Sequence, residues 1–180
     1  MALPSTMHTF RLDVADVDRG VYAEVELRVA RHPSETVPYL LTRVLAYALE
    51  LREGLAFGRG VSVAEDADLW AHDPTGRITL WVEIGSASAD RLHKASKLGA
   101  EVAVYTHRDA DALVAGLAGQ RIHRAEALRV IGVPGDLLAG LEARLGRNNT
   151  WGVLRTEGVI YVSMGEDSAT GALTLRTLAS

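Results

Sequence analysis

Glu83 stands one residue before the end of an apolar run, RITLWVEI at residues 77–84, that leads almost directly into a basic segment, SADRLHKASKLG at 88–99. Read as a strand, the run alternates. Ile78, Leu80, Val82 and Ile84 fall on one face, and Thr79, Trp81 and Glu83 on the other. A carboxylate so placed is costly to bury alone and demands a partner. Asp68 upstream and Arg91 and Lys94 downstream are within reach in sequence. Two acids and a lysine around a strand-to-helix turn are the parts of a divalent-metal phosphodiesterase site. Mg²⁺, or Mn²⁺ in its place, suits such a set, because Mg²⁺ prefers oxygen, keeps several waters and uses one or two carboxylates. Asp68 and Glu83 would then hold the metal. Lys94 would orient the attacking water or neutralise charge on the phosphorus, and Arg91 would grip a phosphate with its planar fork.

Each residue also has a plainer reading. Asp68 can begin a turn with Asp66, and Glu83 can be a structural acid paired with Arg91. Lys94 and Lys97 can form a solvated helix face. Trp70 and Trp81 read as core or cross-strand packing. The six histidines are dispersed, with no pair four residues apart, which argues against zinc. His107 follows an apolar run at the kind of strand end where α/β sites lie, and His32 adjoins Arg31 and Glu35; both read as local hydrogen-bonding residues. No phosphate-binding glycine loop and no G-x-S-x-G elbow occurs.

Composition sets the frame for these residues. A chain of 180 residues with 48% hydrophobic content suits a single domain spanning residues 1–180. The net charge of −4 argues against a dedicated nonspecific DNA binder and leaves room for a local basic groove. Cysteine is absent, so neither disulfides nor thiolate metal sites enter. No apolar run nears the roughly 18 residues that span a membrane, and MALPSTMHTFRLDV lacks the pattern of a signal peptide. A cytoplasmic protein with no membrane contact is the expectation.

The elements that must position the acids follow from period and punctuation. Residues 8–29 alternate as a long hairpin turning at Asp18-Arg19-Gly20. The period changes after RHPSETVP, and Leu40, Leu41, Val44, Leu45, Ala48 and Leu49 predict a helix reaching about Glu53. Residues 55–64 read as a glycine-broken extended segment. The turn at 73–76 makes Asp68–Trp70 and 77–85 neighbouring antiparallel strands, which brings Asp68 toward Glu83. A helix over about 88–98, capped by Ser88, and a buried strand at 101–107 then suggest a parallel pair. A helix at 109–119, the strand LRVIGV, a helix from Pro134, a hairpin turning at Glu157-Gly158 and a strand at 172–178 complete the chain. The architecture is α/β, a central mixed β-sheet flanked by helices with antiparallel hairpins at both ends.

The order of these motifs resembles the YaeQ family. The matching stretches are RHPSET at 31–36, Arg43, FGRG at 57–60, ADLW at 67–70, LWVEIG at 80–85, RLHKA at 91–95, EVAVYTH at 101–107 and the C-terminal GVIYVS. The resemblance implies a divergent PD-(D/E)XK nuclease-like fold, with a restriction-endonuclease-like core. It makes Glu35 the helix glutamate, Asp68 the metal-binding aspartate and Glu83 the second acid. A backbone carbonyl near Ile84 would add a ligand. The motif's lysine belongs two residues after Glu83, where this chain has Gly85. Some members carry that cation on the next helix, which makes Lys94 its counterpart, with Arg91 three residues earlier. Two function classes follow. One is a metal-dependent nuclease or phosphodiesterase acting on nucleic acid. The other is a catalytically inactive nuclease fold that serves as an interaction module for nucleic acid or protein.

Overall fold

In a computed structural model, which describes residues 4–60 and 63–178, the described residues form eleven strands, four α-helices and a short 3-10 turn at Ala125–Ala127. In chain order these are β1 (Thr6–Asp16), β2 (Val21–Arg31), α1 (Val37–Leu49), β3 (Leu55–Phe57), β4 (Leu69–His72), β5 (Ile78–Ile84), α2 (Ala89–Lys97), β6 (Glu101–Thr106), α3 (Ala110–Leu117), β7 (Arg129–Gly132), α4 (Gly135–Glu142), β8 (Asn148–Thr156), β9 (Val159–Met164), β10 (Asp167–Ala172) and β11 (Thr174–Thr177). The class is the expected mixed α/β. The strands divide between two sheets, in two compact units that are each built from two stretches of chain.

The first unit comprises residues 1–49 and 134–173. Its five-stranded sheet runs β10-β9-β8-β1-β2, antiparallel except where β8 lies parallel to β1. Alternation builds it: His8, Phe10, Leu12, Val14 and Asp16 point inward from β1, and Arg11 and Asp13 point to solvent. The hairpin reading of the N-terminus is borne out, as is the turn at Glu157-Gly158. Strand β10, DSATGA, has no apolar alternation to announce it, and it forms by pairing with β9.

Helix α1 ends at Leu49, short of the expected Glu53. Arginines end it. Arg19 donates to the Leu49 carbonyl at 2.8 Å and Arg155 at 3.3 Å, satisfying a group that helix ends leave orphaned. Arg155 also grips Asp16, which is fully buried, so the helix end is fixed from the sheet.

The second unit comprises residues 50–133 and 174–180. Its sheet runs β11-β7-β6-β5-β4-β3. β5, β6 and β7 are mutually parallel, and β4 and β11 flank them antiparallel. The expected antiparallel pairing of 68–70 with 77–85, and the parallel pair joined by α2, are both present. Of the extended reading at 55–64, residues 55–57 form β3, and residues 61 and 62 lie outside the described residues. Ser88 caps α2 by accepting from the Arg91 amide, an interaction worth about 1 kcal/mol. Leu92 and Ala95 of α2 pack with Trp81, Val102, Val104 and Val130 in one apolar cluster. Glu83 shares its strand face with Trp81, so the acid is held on the side of the sheet that α2 covers. Among the described residues no helix is long and apolar enough to cross a membrane.

Candidate metal and phosphate site

Alternation and pairing bring the two acids together. Leu69 is paired with Val82, so the next step of the antiparallel register sets Asp68 opposite Glu83 on the same face. Asp68 is half-buried, and its Oδ2 accepts from the Ile84 amide at 2.8 Å. That bond ties the aspartate to the end of β5. Glu83 is only 4% exposed. Its Oε1 accepts from the Trp81 indole at 2.8 Å and from Arg91 Nε. Burial pushes the Glu83 carboxyl up to about 7; the nearby Asp68 charge adds to the rise, and the Trp81 hydrogen bond and Arg91 oppose it.

Arg91 is the cation that Glu83 required. Besides the carboxylate, its guanidinium donates to the carbonyls of Ala64 and Asp66, and its Cζ lies 5.5 Å from the centroid of the Trp81 ring. It therefore joins α2, β5 and the segment before β4. Asp66 is fixed in turn by Arg59, which donates from its backbone amide at 2.8 Å and from Nε and a terminal nitrogen at 2.9 Å each. These bonds hold the Asp66 carboxyl at about 2. Neither Arg59 nor Trp81 stood out in the sequence as part of the site. The usable signal for Trp81 was its two-residue spacing from Glu83, which puts indole and carboxylate on one strand face. Trp81 also packs edge-on against Trp70, its cross-strand neighbour, with ring centroids 5.8 Å apart, as the packing reading had it.

Lys94 is exposed on α2 and makes no ion pair with either acid. Glu35 belongs to the first unit, whereas Asp68 and Glu83 belong to the second. It is buried and paired with Arg43 at 3.2 Å, and Arg31 donates to its carbonyl at 3.1 Å. His32 bonds locally, 2.6 Å from the Ser34 hydroxyl. The His107 Nδ1 is buried with no hydrogen-bond partner among the described residues, and desolvation lowers the ring's pKa.

Gly85, in the place of the motif's lysine, has a φ of +89°, and its amide donates to the Tyr105 carbonyl at 2.7 Å. The chain thus leaves β5 through the left-handed region, where any side chain beyond glycine's is strained.

The donor set fits a hard divalent ion. It offers two carboxylates with no soft or imidazole ligand beside them. Among the described residues no group of three His, Asp or Glu is placed to hold a metal, so carbonyls and water would have to complete the shell. Arg91 already neutralises Glu83, so an ion there must displace or share that contact.

Comparison with known proteins agrees with the motif pattern. The model of the family described as YaeQ protein matches residues 1–172, and the chain belongs to that family. An uncharacterized YaeQ protein of Escherichia coli K12 is 32% identical over 164 residues, which is 91% of each chain. One from Salmonella typhi is 35% identical over 107 residues, 59% of each. The crystal structure of the YaeQ protein of Xanthomonas axonopodis pv. citri superposes with a TM-score of 0.81 at 28% identity, covering 97% of this chain and 99% of that one. That of Pseudomonas syringae gives 0.80 at 33% identity, with 99% and 98% covered.

Proposed function

We propose that this YaeQ-family chain is a divalent-metal-dependent phosphodiesterase acting on nucleic acid, of the PD-(D/E)XK type. One observation carries the reading: a buried carboxyl at the end of β5 raised to about 7, beside a second carboxylate, Asp68, that accepts from the next amide of the same strand. Such perturbed pairs in a strand-end setting are where metal and acid–base chemistry concentrate. Asp68 and Glu83 would hold Mg²⁺ or Mn²⁺. The ion supplies phosphate polarisation and a more acidic bound water. Trp81 holds one oxygen of Glu83, and the Ile84 amide holds one oxygen of Asp68. Arg91 neutralises Glu83 in the resting protein and takes a phosphate oxygen when substrate arrives. Lys94 supplies the cation that Gly85 cannot. A bacterial, cytoplasmic setting belongs to the same proposal, since its substrates are found there.

The second reading, an inactive nuclease fold serving as an interaction module, draws on Lys94: its ammonium is exposed and paired with neither acid. Calorimetry with Mg²⁺ and Mn²⁺, then cleavage assays on single- and double-stranded DNA and RNA, separate the two. Wild-type protein should bind one ion, and binding should strengthen as pH rises to about 7, because Glu83 must give up its proton first. Glu83→Gln should abolish binding. Lys94→Ala should keep metal affinity and lose cleavage by about 10²-fold or more. Unchanged metal binding in Glu83→Gln would end the metal assignment, and absence of cleavage in wild type would favour the module.

A further inference from the structure

Helix α2 starts at the acids and leads away from them as a line of cations. Arg91, Lys94 and Lys97 recur every three residues, a rise of about 4.5 Å per step. Leu92, Ala95 and Ser96 take the buried side, and Lys94 and Lys97 are exposed. A second segment is pinned against this helix. The His123 amide donates to His93 Nδ1 at 3.0 Å, and the Ser96 hydroxyl donates to the His123 carbonyl. Both peptide groups of His123 are thus held by α2, and its neighbours Arg121 and Arg124 are set beside the helix. Arg124 has a φ of +51°, a costly backbone state for a residue with a side chain, maintained by the turn that follows at 125–127. At the far end of α2 the Arg77 guanidinium lies over Gly99, so close that a Cβ there would stand 2.9 Å from its nitrogen.

Arg77, Lys94, Lys97, Arg121 and Arg124 form no ion pair with any described residue, although most of the chain's other cations do. Asp90 is the sole acid of α2, and Glu101 just beyond it is already engaged by Arg52 and Arg129. His93, among these groups, is held below its ordinary range by desolvation and by the charges of Arg121, Lys97 and His123, with Asp90 opposing them. Gathering five cations, offset among the described residues only by Asp90 and, beside Arg77, by Asp73, costs free energy that a bound polyanion returns.

Resting on the phosphodiester reading of Asp68 and Glu83, we propose that the exposed face of α2 and the 121–124 loop form the track that holds a nucleic-acid backbone. Lys94, Lys97, Arg121, Arg124 and Arg77 pair with successive phosphates, and the strand they hold is delivered to the acids at the start of the helix. The contacts are to phosphate, so the track is indifferent to base sequence.

Fluorescence anisotropy with labelled DNA and RNA oligonucleotides, single- and double-stranded, tests this in EDTA, where no metal chemistry contributes. Wild-type protein should bind, with affinity falling steeply between about 50 and 200 mM salt. The triple variant Lys97→Glu, Arg121→Glu, Arg124→Glu should bind at least about tenfold more weakly, with the salt slope reduced by about 2–3. Arg28→Glu, on an exposed strand of the other unit, should change neither. Circular dichroism and melting confirm that the triple variant is folded. Equal affinity and slope in wild type and triple variant would overturn the proposal, as would binding to anionic phospholipid vesicles but to no nucleic acid. Metal-dependent cleavage with an unchanged KM in the triple variant refutes the track and spares the catalytic reading. Patch-dependent binding without cleavage supports the track and refutes the catalyst.

Discussion

At the scale of single residues, Gly85 explains how this chain departs from the motif it resembles. A lysine in that position would sit at a φ of +89°, at an estimated cost of about 1–2 kcal/mol. The backbone also pairs there with Tyr105, so the bend is fixed by β6 and a side chain cannot relax it. Restoring the motif's lysine should therefore fail. Gly85→Lys is expected to lower Tm by about 2–8 °C without raising any cleavage rate. Gly85→Ala should lose nearly as much, because the cost is in the backbone and not in the charge. A Gly85→Lys protein as stable as wild type and more active would mean that the strand end can rearrange and that the motif was merely incomplete. Arg91 teaches the complementary lesson. An acid at a buried strand end needed a cation, and the nearest arginine on the following helix supplied it, with two backbone carbonyls sharing its donors.

At the scale of elements, periodicity made most of the second unit legible. The apolar alternation of residues 78–84 and the capped, amphipathic stretch after Ser88 predicted β5 and α2, and the turn at 73–76 predicted the pairing that aligns Asp68 with Glu83. What escaped was held by partners distant in sequence. β10 exists because β9 pairs with it, and α1 stops at Leu49 because Arg19 and Arg155 take its last carbonyl. The residues just past α1 make a further point of this kind. Glu50 is 2% exposed and accepts from the Tyr105 hydroxyl at 2.8 Å, Arg129 at 2.7 Å and Arg52 at 2.8 Å. Burial alone would raise its carboxyl, but Arg129, Tyr105 and Arg52 together hold it below its ordinary 4.5. A carboxyl depressed on folding lends stability above its unfolded pKa and withdraws it as pH falls through the folded value. Urea unfolding should therefore show stability falling below about pH 4.5, and Glu50→Gln should flatten that limb. At pH 7 the substitution should cost about 2–4 kcal/mol, since it leaves two arginines short of their counter-charge. An unchanged acid limb in Glu50→Gln would mean that other carboxylates dominate it.

At the scale of the whole molecule, the chain does not spend its length in order. It builds part of the first unit, then most of the second, returns to complete the first, and gives its last stretch back to the second. The sheet that carries Asp68 and Glu83 therefore ends on β11, supplied from Thr174–Thr177 and paired with β7 from Thr174 opposite Gly132 onward. Leu178 follows, 5% exposed, in the same apolar cluster as Leu92, Ala95, Val104 and Val130. The helix that holds Arg91 and the strand-end acids thus share a core with a residue nearly a hundred positions downstream. Leu178→Ala should cost about 2–4 kcal/mol, the range for emptying a buried leucine site, out of a total stability of only about 5–15 kcal/mol. Hydrogen exchange should place the loss in the second unit, with protection falling in β7 and α3, which β11 contacts, and persisting in β1 and β8. A uniform loss across both sheets would mean that the two units open together. No loss at all would mean that the C-terminal strand only lies against the sheet and that residues 50–133 hold the acids in place without it.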